Sequence, residues 1–468
     1  MLEKDVFAGR PLAAISGALR RGEVTAEQLT RSTLARIQAL NPKLEAVTEV
    51  NAEQAIAAAA GIDRLIQAGM DPGPLAGLPV LVKDLYQVEG FRITAGSRLD
   101  IQDLAPTEEG FLIQKLKQAG CIIVAKTRTT EFAMGGFNLT HPLPWNPSDL
   151  TAKRMTGGSS HGSAVALAAG LGAFTLGSDT GGSVRQPAAF AGVFGYKAGR
   201  AYWPTDGVFP MSPSLDSLGI FTRSAQDAAW VVSALGGGVG SSAAGLAGLQ
   251  HPRSVAGARL AIPRNHFFDY CDTDVRQAFD RAVQQLADAG ALITEIEIPE
   301  VSEIDAVFGA MVPADVLGFL GRDRFMSGEN LVDPVVWHRT SAAFDLPATD
   351  YIRFSLRYQQ IAKTVNARLA AFDAWLSPTT PNVAPLAAGF DSVDKVAQFN
   401  RVNTGNVRPG NLFDQCGTTL PLVGATTGLP VGFQVMGKTG DDEQLLALSV
   451  SIEAVIGQGR VADMTGLI

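Results

Sequence analysis

Apolar positions along this chain recur in two rhythms. Near the start, Leu29, Leu34, Ile37 and Leu40 return at helical spacing, and Thr25 with Gln28 three residues on forms a capping-box pair. A helix is therefore predicted to begin at Thr25, and Asn41-Pro42 should stop it. From Leu75 onward the rhythm changes to short continuous apolar runs: Leu78 to Val82, Cys121 to Ala125 and Ala173 to Leu176. Helical stretches stand between them, Phe111 to Ala119 and the small-residue segment Ser163 to Leu171. Short uninterrupted runs alternating with helices predict an α/β fold whose strands are buried on both faces.

The stretch 236–250 is rich in Gly, Ala and Ser and reads as a mobile surface connection. It divides a core segment, 70–235, from a variable segment, 251–375. Beyond it Arg259 to Ile262 reads as strand, Val275, Phe279, Ala282, Val283 and Leu286 keep helical spacing up to Gly290, and Ala291 to Ile298 reads as strand again. That unit should extend the sheet.

Composition narrows the setting. The chain has 468 residues, 46% of them hydrophobic and 18% charged, enough to bury a large core. A net charge of -8 gives no reason to expect nucleic acid or an anionic membrane as partner. Cys121, Cys271 and Cys416 lie far apart, with no disulfide or zinc spacing, which favours a reducing cytoplasm. The weakly polar run Ala164 to Gly177 is too short to span a bilayer, and no signal peptide opens the chain. A soluble, cytoplasmic protein is expected.

The candidate chemistry lies between Thr156 and Pro187. Two serines sit among glycines there, Ser159 in Thr-Gly-Gly-Ser-Ser-His-Gly-Ser and Ser183 in Gly-Ser-Asp-Thr-Gly-Gly-Ser-Val-Arg-Gln-Pro. Around Ser183, Thr180, Gly181 and Gly182 can turn successive N–H groups toward one point, a nest able to hold a developing oxyanion. A phosphate loop would need Gly-Lys-Ser/Thr after its glycines, and none follows. Upstream, Lys83 closes the strand Leu78 to Val82. If it is buried, desolvation brings its amine from about 10.4 toward neutrality, where it can accept a proton. Two hydroxyls and one amine then make a proton relay without histidine.

A rival pattern overlaps the first. Gly158-Ser-Ser-His-Gly162 fits G-x-S-x-G, which would make Ser160 the nucleophile of an α/β-hydrolase-type esterase. The later histidines, His251, His266 and His338, stand far from the C-terminus, where that triad would seek its base. His141 and His161 form no metal spacing, and no metal is assigned.

These residues resemble the amidase signature family. The likeness is carried by Gly157-Gly-Ser-Ser160 and Gly177-Ser-Asp-Thr-Gly-Gly-Ser-Val-Arg-Gln-Pro187, with Ser159 and Ser183 spaced 24 positions apart. It begins near Gly77-Leu-Pro-Val-Leu-Val-Lys-Asp84, includes Lys126-Thr-Arg-Thr-Thr-Glu-Phe-Ala-Met-Gly135, and returns in the segment 376–468 at Ser377-Pro-Thr-Thr-Pro381 and Gly428-Leu-Pro-Val-Gly-Phe-Gln-Val-Met-Gly437. The resemblance implies a single large α/β domain with a mixed, twisted central sheet covered by helices on both faces. It implies Ser183 as acyl-enzyme nucleophile, Ser159 as bridging serine after a cis peptide bond and Lys83 as ultimate base. Thr180, Gly181 and Gly182 become oxyanion donors, Ser160, Asp179 and Arg185 supports, and Met134 and Gly135 substrate contacts. No cofactor is implied.

The expected reaction is hydrolysis of a carbon–nitrogen bond in a small amide or carbamate. Alternatives are the amidase subunit of a glutamyl-tRNA amidotransferase and a catalytically silent binding protein; a homodimer is compatible with the first reading. The sequence departs from the family at His161, where glycine is frequent, and at Tyr196-Lys197-Ala198. Phe308, Met311, Val312, Leu317, Phe319, Phe325, Met326, Val336 and Trp337 form a dense apolar set that reads either as plain helix packing or as the wall of a pocket above Ser183; the second reading would favour a neutral aryl or alkyl substrate.

Overall fold

The computed structural model describes residues 4–251, 254–459 and 462–467. Eleven strands follow in chain order: β1 (Val47–Val50), β2 (Pro79–Lys83), β3 (Ile122–Thr127), β4 (Phe174–Asp179), β5 (Phe194–Lys197), β6 (Ser217–Thr222), β7 (Arg259–Pro263), β8 (Leu292–Ile296), β9 (Ala374–Pro378), β10 (Gly417–Val423) and β11 (Pro430–Met436). They form one sheet in the order β1-β3-β2-β4-β6-β5-β10-β11-β9-β7-β8. The sheet is mixed. β3, β2 and β4 run parallel, as do β9, β7 and β8, while the pairings from β4 through β6, β5, β10 and β11 to β9 are antiparallel.

Every position of β2, β4, β6 and β9 is buried, so both faces of the central sheet are covered. This is the arrangement the continuous apolar runs predicted. The unit from Arg259 to Ile296 extends the sheet as expected: β7 and β8 pair in parallel across the helix Thr273–Asp288.

Two expectations are corrected. The capping box at Thr25 is present, with Gln28 N–H donating to Thr25 Oγ1 at 3.1 Å, but the helix passes through Pro42 and ends at Leu44. A proline in the last turn removes only one backbone donor. Asn41 then steers the chain out, its Oδ1 accepting from Ala46 and Val47 at 2.9 and 2.8 Å. The stretch 236–250 is also more ordered than its composition suggested. It contains a helix, Ala243–Gln250, capped by Ser242 and anchored by buried Leu249. Among the described residues, no helix is long and apolar enough to cross a membrane.

Candidate active site

Parallel pairing of β2 with β4 sets the site. Val82 stands opposite Leu176, so the carboxyl ends of the two strands put Lys83 beside Ser178, at the sheet edge where α/β folds gather functional groups. Lys83 is fully buried. Its Nζ donates to Ser159 Oγ at 2.6 Å and to Ser178 Oγ at 2.9 Å. Burial pushes the Lys83 amine down to about 7, against the opposing pull of Asp216 and Asp179. The lysine can therefore shed its proton near neutral pH while pointing at a serine.

The serine loop is held from several sides. The Gly158–Ser159 peptide bond is cis. Gly158 N–H donates to Gln186 Oε1 at 3.1 Å, Thr130 N–H to Ser159 O at 3.3 Å, and Ser160 N–H to Ser183 O at 3.2 Å. The last bond ties the Ser159 loop to the Ser183 loop. Ser160 itself is buried, with its Oγ donating to Ser178 O at 3.1 Å and accepting from Ser178 N–H at 3.3 Å. A hydroxyl fastened to a strand backbone is a poor nucleophile for an external substrate, and the esterase reading based on it has no geometric support. His161 is buried too. Burial, with the nearby charges of Arg128 and Lys83, holds it well below its usual value.

Beyond β4 the chain turns through Thr180, Gly181, Gly182 and Ser183 into the helix Arg185–Ala191. Gly182 takes φ +113, and a Cβ there would stand 2.0 Å from Val407 Cγ2, so only glycine fits. Asp179 organises the turn, its carboxylate accepting from Gly182 N–H at 2.9 Å, Val184 N–H at 3.0 Å and Arg185 N–H at 3.3 Å. Of the three amides expected to face an oxyanion, Gly182 is thus already committed. Thr180 and Gly181 keep N–H groups without a partner among the described residues, and so does Ser183. Thr180 Oγ1 donates to Asp216 Oδ1.

Asp179 and Arg185 form an ion pair at 2.9 Å with no solvent exposure. Burial alone would raise Asp179, but the charge and hydrogen bonds of Arg185 outweigh it and hold the carboxyl well below its usual range. The remaining guanidinium donors reach Gln434 Oε1 at 2.9 Å and Asn411 Oδ1 at 2.7 Å. The C-terminal segment is thereby locked to the Ser183 turn.

Ser183 is only half-buried and makes no hydrogen bond through its Oγ among the described residues. It faces a narrow cleft of about 20 Å³, whose walls include Ala133, Gly135, Gly158, Gly181, Met211, Phe308, Arg339, Asn400, Thr404 and Arg408. Of the nine apolar residues that could have stood above Ser183, Phe308 alone is in that wall. Met311, Val312, Phe325 and Val336 are packed into the core, because the helices that carry them turn their apolar faces inward, and Met326 is exposed. Gly135 lines the cleft, whereas Met134 is core, its sulfur accepting from Thr340 Oγ1 at 3.6 Å. A second cavity, about 250 Å³, reaches Ser178 and Asp216 without Ser183 in its walls.

Sequence reading missed Ser178, Asp216, Arg339, Asn400 and Arg408. Ser178 lay within the serine-glycine motif, unassigned. Asp216 offered no local signal; it is buried and raised to about 6 by that burial, against hydrogen bonds from Thr180, Met211 and Ser212.

A profile of the family described as Amidase matches residues 28–446. The 2-amino-5-chloromuconic acid deaminase of Comamonas testosteroni is 35% identical, over 96% of this chain and 96% of its own length. A glutamyl-tRNA(Gln) amidotransferase subunit from Heliobacterium modesticaldum is 32% identical, over 94% of this chain and 95% of its own. The native peptide amidase of Stenotrophomonas maltophilia superposes with a TM-score of 0.84 at 25% identity, covering 99% of this chain and all of that one. The chain belongs to the amidase family. It is an enzyme that hydrolyses carbon–nitrogen bonds.

Proposed function

We propose that the chain hydrolyses a small amide or carbamate through an acyl-enzyme on Ser183. Ser183 Oγ attacks the carbonyl carbon; its proton passes to Ser159 Oγ as the Ser159 proton passes to neutral Lys83. N–H groups of Thr180, Gly181 and Ser183 donate to the developing oxyanion. The relay then runs backward and delivers the proton to the leaving nitrogen as the carbon–nitrogen bond breaks. Water, deprotonated by the same chain of groups, cleaves the ester and restores Ser183.

The observation that carries this reading is the buried Lys83 Nζ, 2.6 Å from Ser159 Oγ, on the loop that is bonded to the Ser183 turn. A lysine with no exposure and, among the described residues, no carboxylate in contact is an expensive group to keep, and a relay gives it a use. The residues needed for the chemistry all lie within this chain, which favours an enzyme working alone, as a monomer or homodimer. A cytoplasmic setting accords with Cys121, Cys271 and Cys416, which are all free thiols. The relatives named as amidotransferase subunits motivate the second reading, release of ammonia to a partner.

A fluorophosphonate probe followed by peptide mass spectrometry tests the nucleophile. The adduct is expected on Ser183 and absent from Ser183→Ala. Labelling on Ser160 would end the proposal. Amide hydrolysis by the purified chain separates the lone enzyme from one that is silent without its partner.

A further inference from the structure

One wall of the Ser183 cleft carries two donors, Arg339 and Asn400 Nδ2, that have no acceptor among the described residues. Arg339 lies on the helix Pro334–Ser341 and makes no hydrogen bond or ion pair among the described residues. Its guanidinium carbon stands 5.9 Å from the Phe308 ring centroid, and that of Arg408 stands 5.2 Å from the same ring. Arg408 is nine-tenths buried and only partly satisfied, by Asp305 at 2.7 Å and Asn400 O at 3.3 Å. Between them, Asn400 is 4% exposed. Its Oδ1 accepts from Gly136 N–H at 2.9 Å, which leaves the amide nitrogen as the free end. That Nδ2 is buried without a partner among the described residues.

A buried donor without an acceptor is costly, and two guanidinium groups facing one ring repel each other. Burial, and to a lesser degree the charge of Arg408, lowers Arg339 to about 10. Among the described residues, no acidic side chain lines the cleft. Gly135 preserves the approach: a Cβ there would meet Asn400 Nδ2 at 3.0 Å and Arg339 Nη1 at 3.6 Å.

We infer that Arg339, with Asn400 Nδ2 and Arg408, forms a subsite for a carboxylate carried on the acyl part of the substrate, making monoamides of dicarboxylic acids the preferred substrate class. A carboxylate offers two acceptor oxygens in the plane that a guanidinium fork matches, and it would neutralise the wall. The α-ammonium of an amino acid such as glutamine would find no counter-charge in the cleft, so glutamine is the poorer ligand. This inference rests on the Ser183 reading for the position of the scissile bond. It replaces the neutral substrate expected from the apolar residues, most of which point elsewhere.

Binding and turnover are read separately. In the non-hydrolysing Ser183→Ala background, calorimetry compares linear dicarboxylic monoamides of three to six carbons with the neutral amides of equal length and with glutamine. At least one acidic monoamide is expected to bind tenfold or more tighter than its neutral counterpart and than glutamine. Arg339→Gln should reduce the acidic-over-neutral binding ratio to less than twofold. Arg339→Lys, with its charge but without the fork, should fall between, and circular dichroism checks that each variant is folded. Equal binding of acidic and neutral amides across the series, or undiminished preference in Arg339→Gln, overturns the subsite. Tight binding of the acidic amide with no hydrolysis by the unsubstituted enzyme would instead refute the acyl-enzyme reading and leave the subsite standing.

Discussion

Replacing Lys83 by methionine removes a charge from a place where the fold gives it no counter-ion in contact. The displacement of the amine from 10.5 to about 7 corresponds to roughly 5 kcal/mol of preference for the neutral form in the folded protein. The sign follows from linkage. Below pH 7 the lysine is protonated both folded and unfolded, and the folded enzyme bears the whole cost of the buried ammonium. Between pH 7 and 10.5 the folded form is neutral while the unfolded chain still binds the proton, so the cost falls by about 1.4 kcal/mol per pH unit. Relative to Lys83→Met, the unsubstituted enzyme should therefore gain about 2–3 kcal/mol of stability between pH 7 and pH 9. Urea unfolding of both proteins at half-unit pH steps measures this difference. The kcat/KM of the unsubstituted enzyme should rise along a limb with the same midpoint, near 7, and Lys83→Met should lose nearly all activity. Stability curves that stay parallel from pH 7 to pH 9 would mean a lysine that remains charged in the fold, and a charged lysine cannot be the base.

Three further outcomes are expected. Asp216→Asn removes a negative charge that helps keep the Lys83 proton, so the rising limb of the pH–rate profile should move to lower pH; a limb that stays in place or moves upward refutes the coupling. Arg185→Gln leaves Asp179 buried without its counter-charge and should cost about 3–5 kcal/mol in chemical denaturation, whereas a loss below about 1 kcal/mol would show that the pair is not sealed from water. Gly182→Ala puts a Cβ into Val407 at a backbone angle that alanine avoids. It should cost about 1–3 kcal/mol and suppress fluorophosphonate labelling, since the turn must shift to admit the methyl group; labelling at the original rate would show a turn that tolerates it.

What was legible in the chain depended on how local its physics was. Ser159 and Ser183 stood out because the turns that carry them need glycine at fixed positions, a demand written into consecutive letters. β2, β3 and β4 were visible as uninterrupted apolar runs because they are covered on both faces. β5, β6 and β10 went unseen: Phe194–Lys197 carries a buried lysine, and Gly417–Val423 carries two threonines and a proline. Their polar groups are answered by distant partners, as when Lys197 Nζ donates to Gln415 O at 2.6 Å. The cleft wall could not be singled out for a related reason. The density of large apolar residues between Phe308 and Trp337 reports burial, but which side of each helix meets Ser183 is decided by packing across the whole segment. Arg339 stood beside those residues, and its lack of a partner among the described residues is a property of three dimensions only.

The order of the sheet separates two kinds of work along the chain. β1 through β6 occupy one continuous half, and with their loops they carry Lys83, Ser159, Asp179, Ser183 and Asp216. Arg339, Asn400 and Arg408, together with Phe308, come from the stretch that belongs to β7 through β11, and they reach the nucleophile only by leaning across from the other half. On the proposed reading, the groups that break the bond and those that read the substrate therefore occupy different stretches of coding sequence. Changes between residues 300 and 410 can retune what is admitted while the reaction itself is inherited intact, so one set of chemistry can acquire a new diet by small steps.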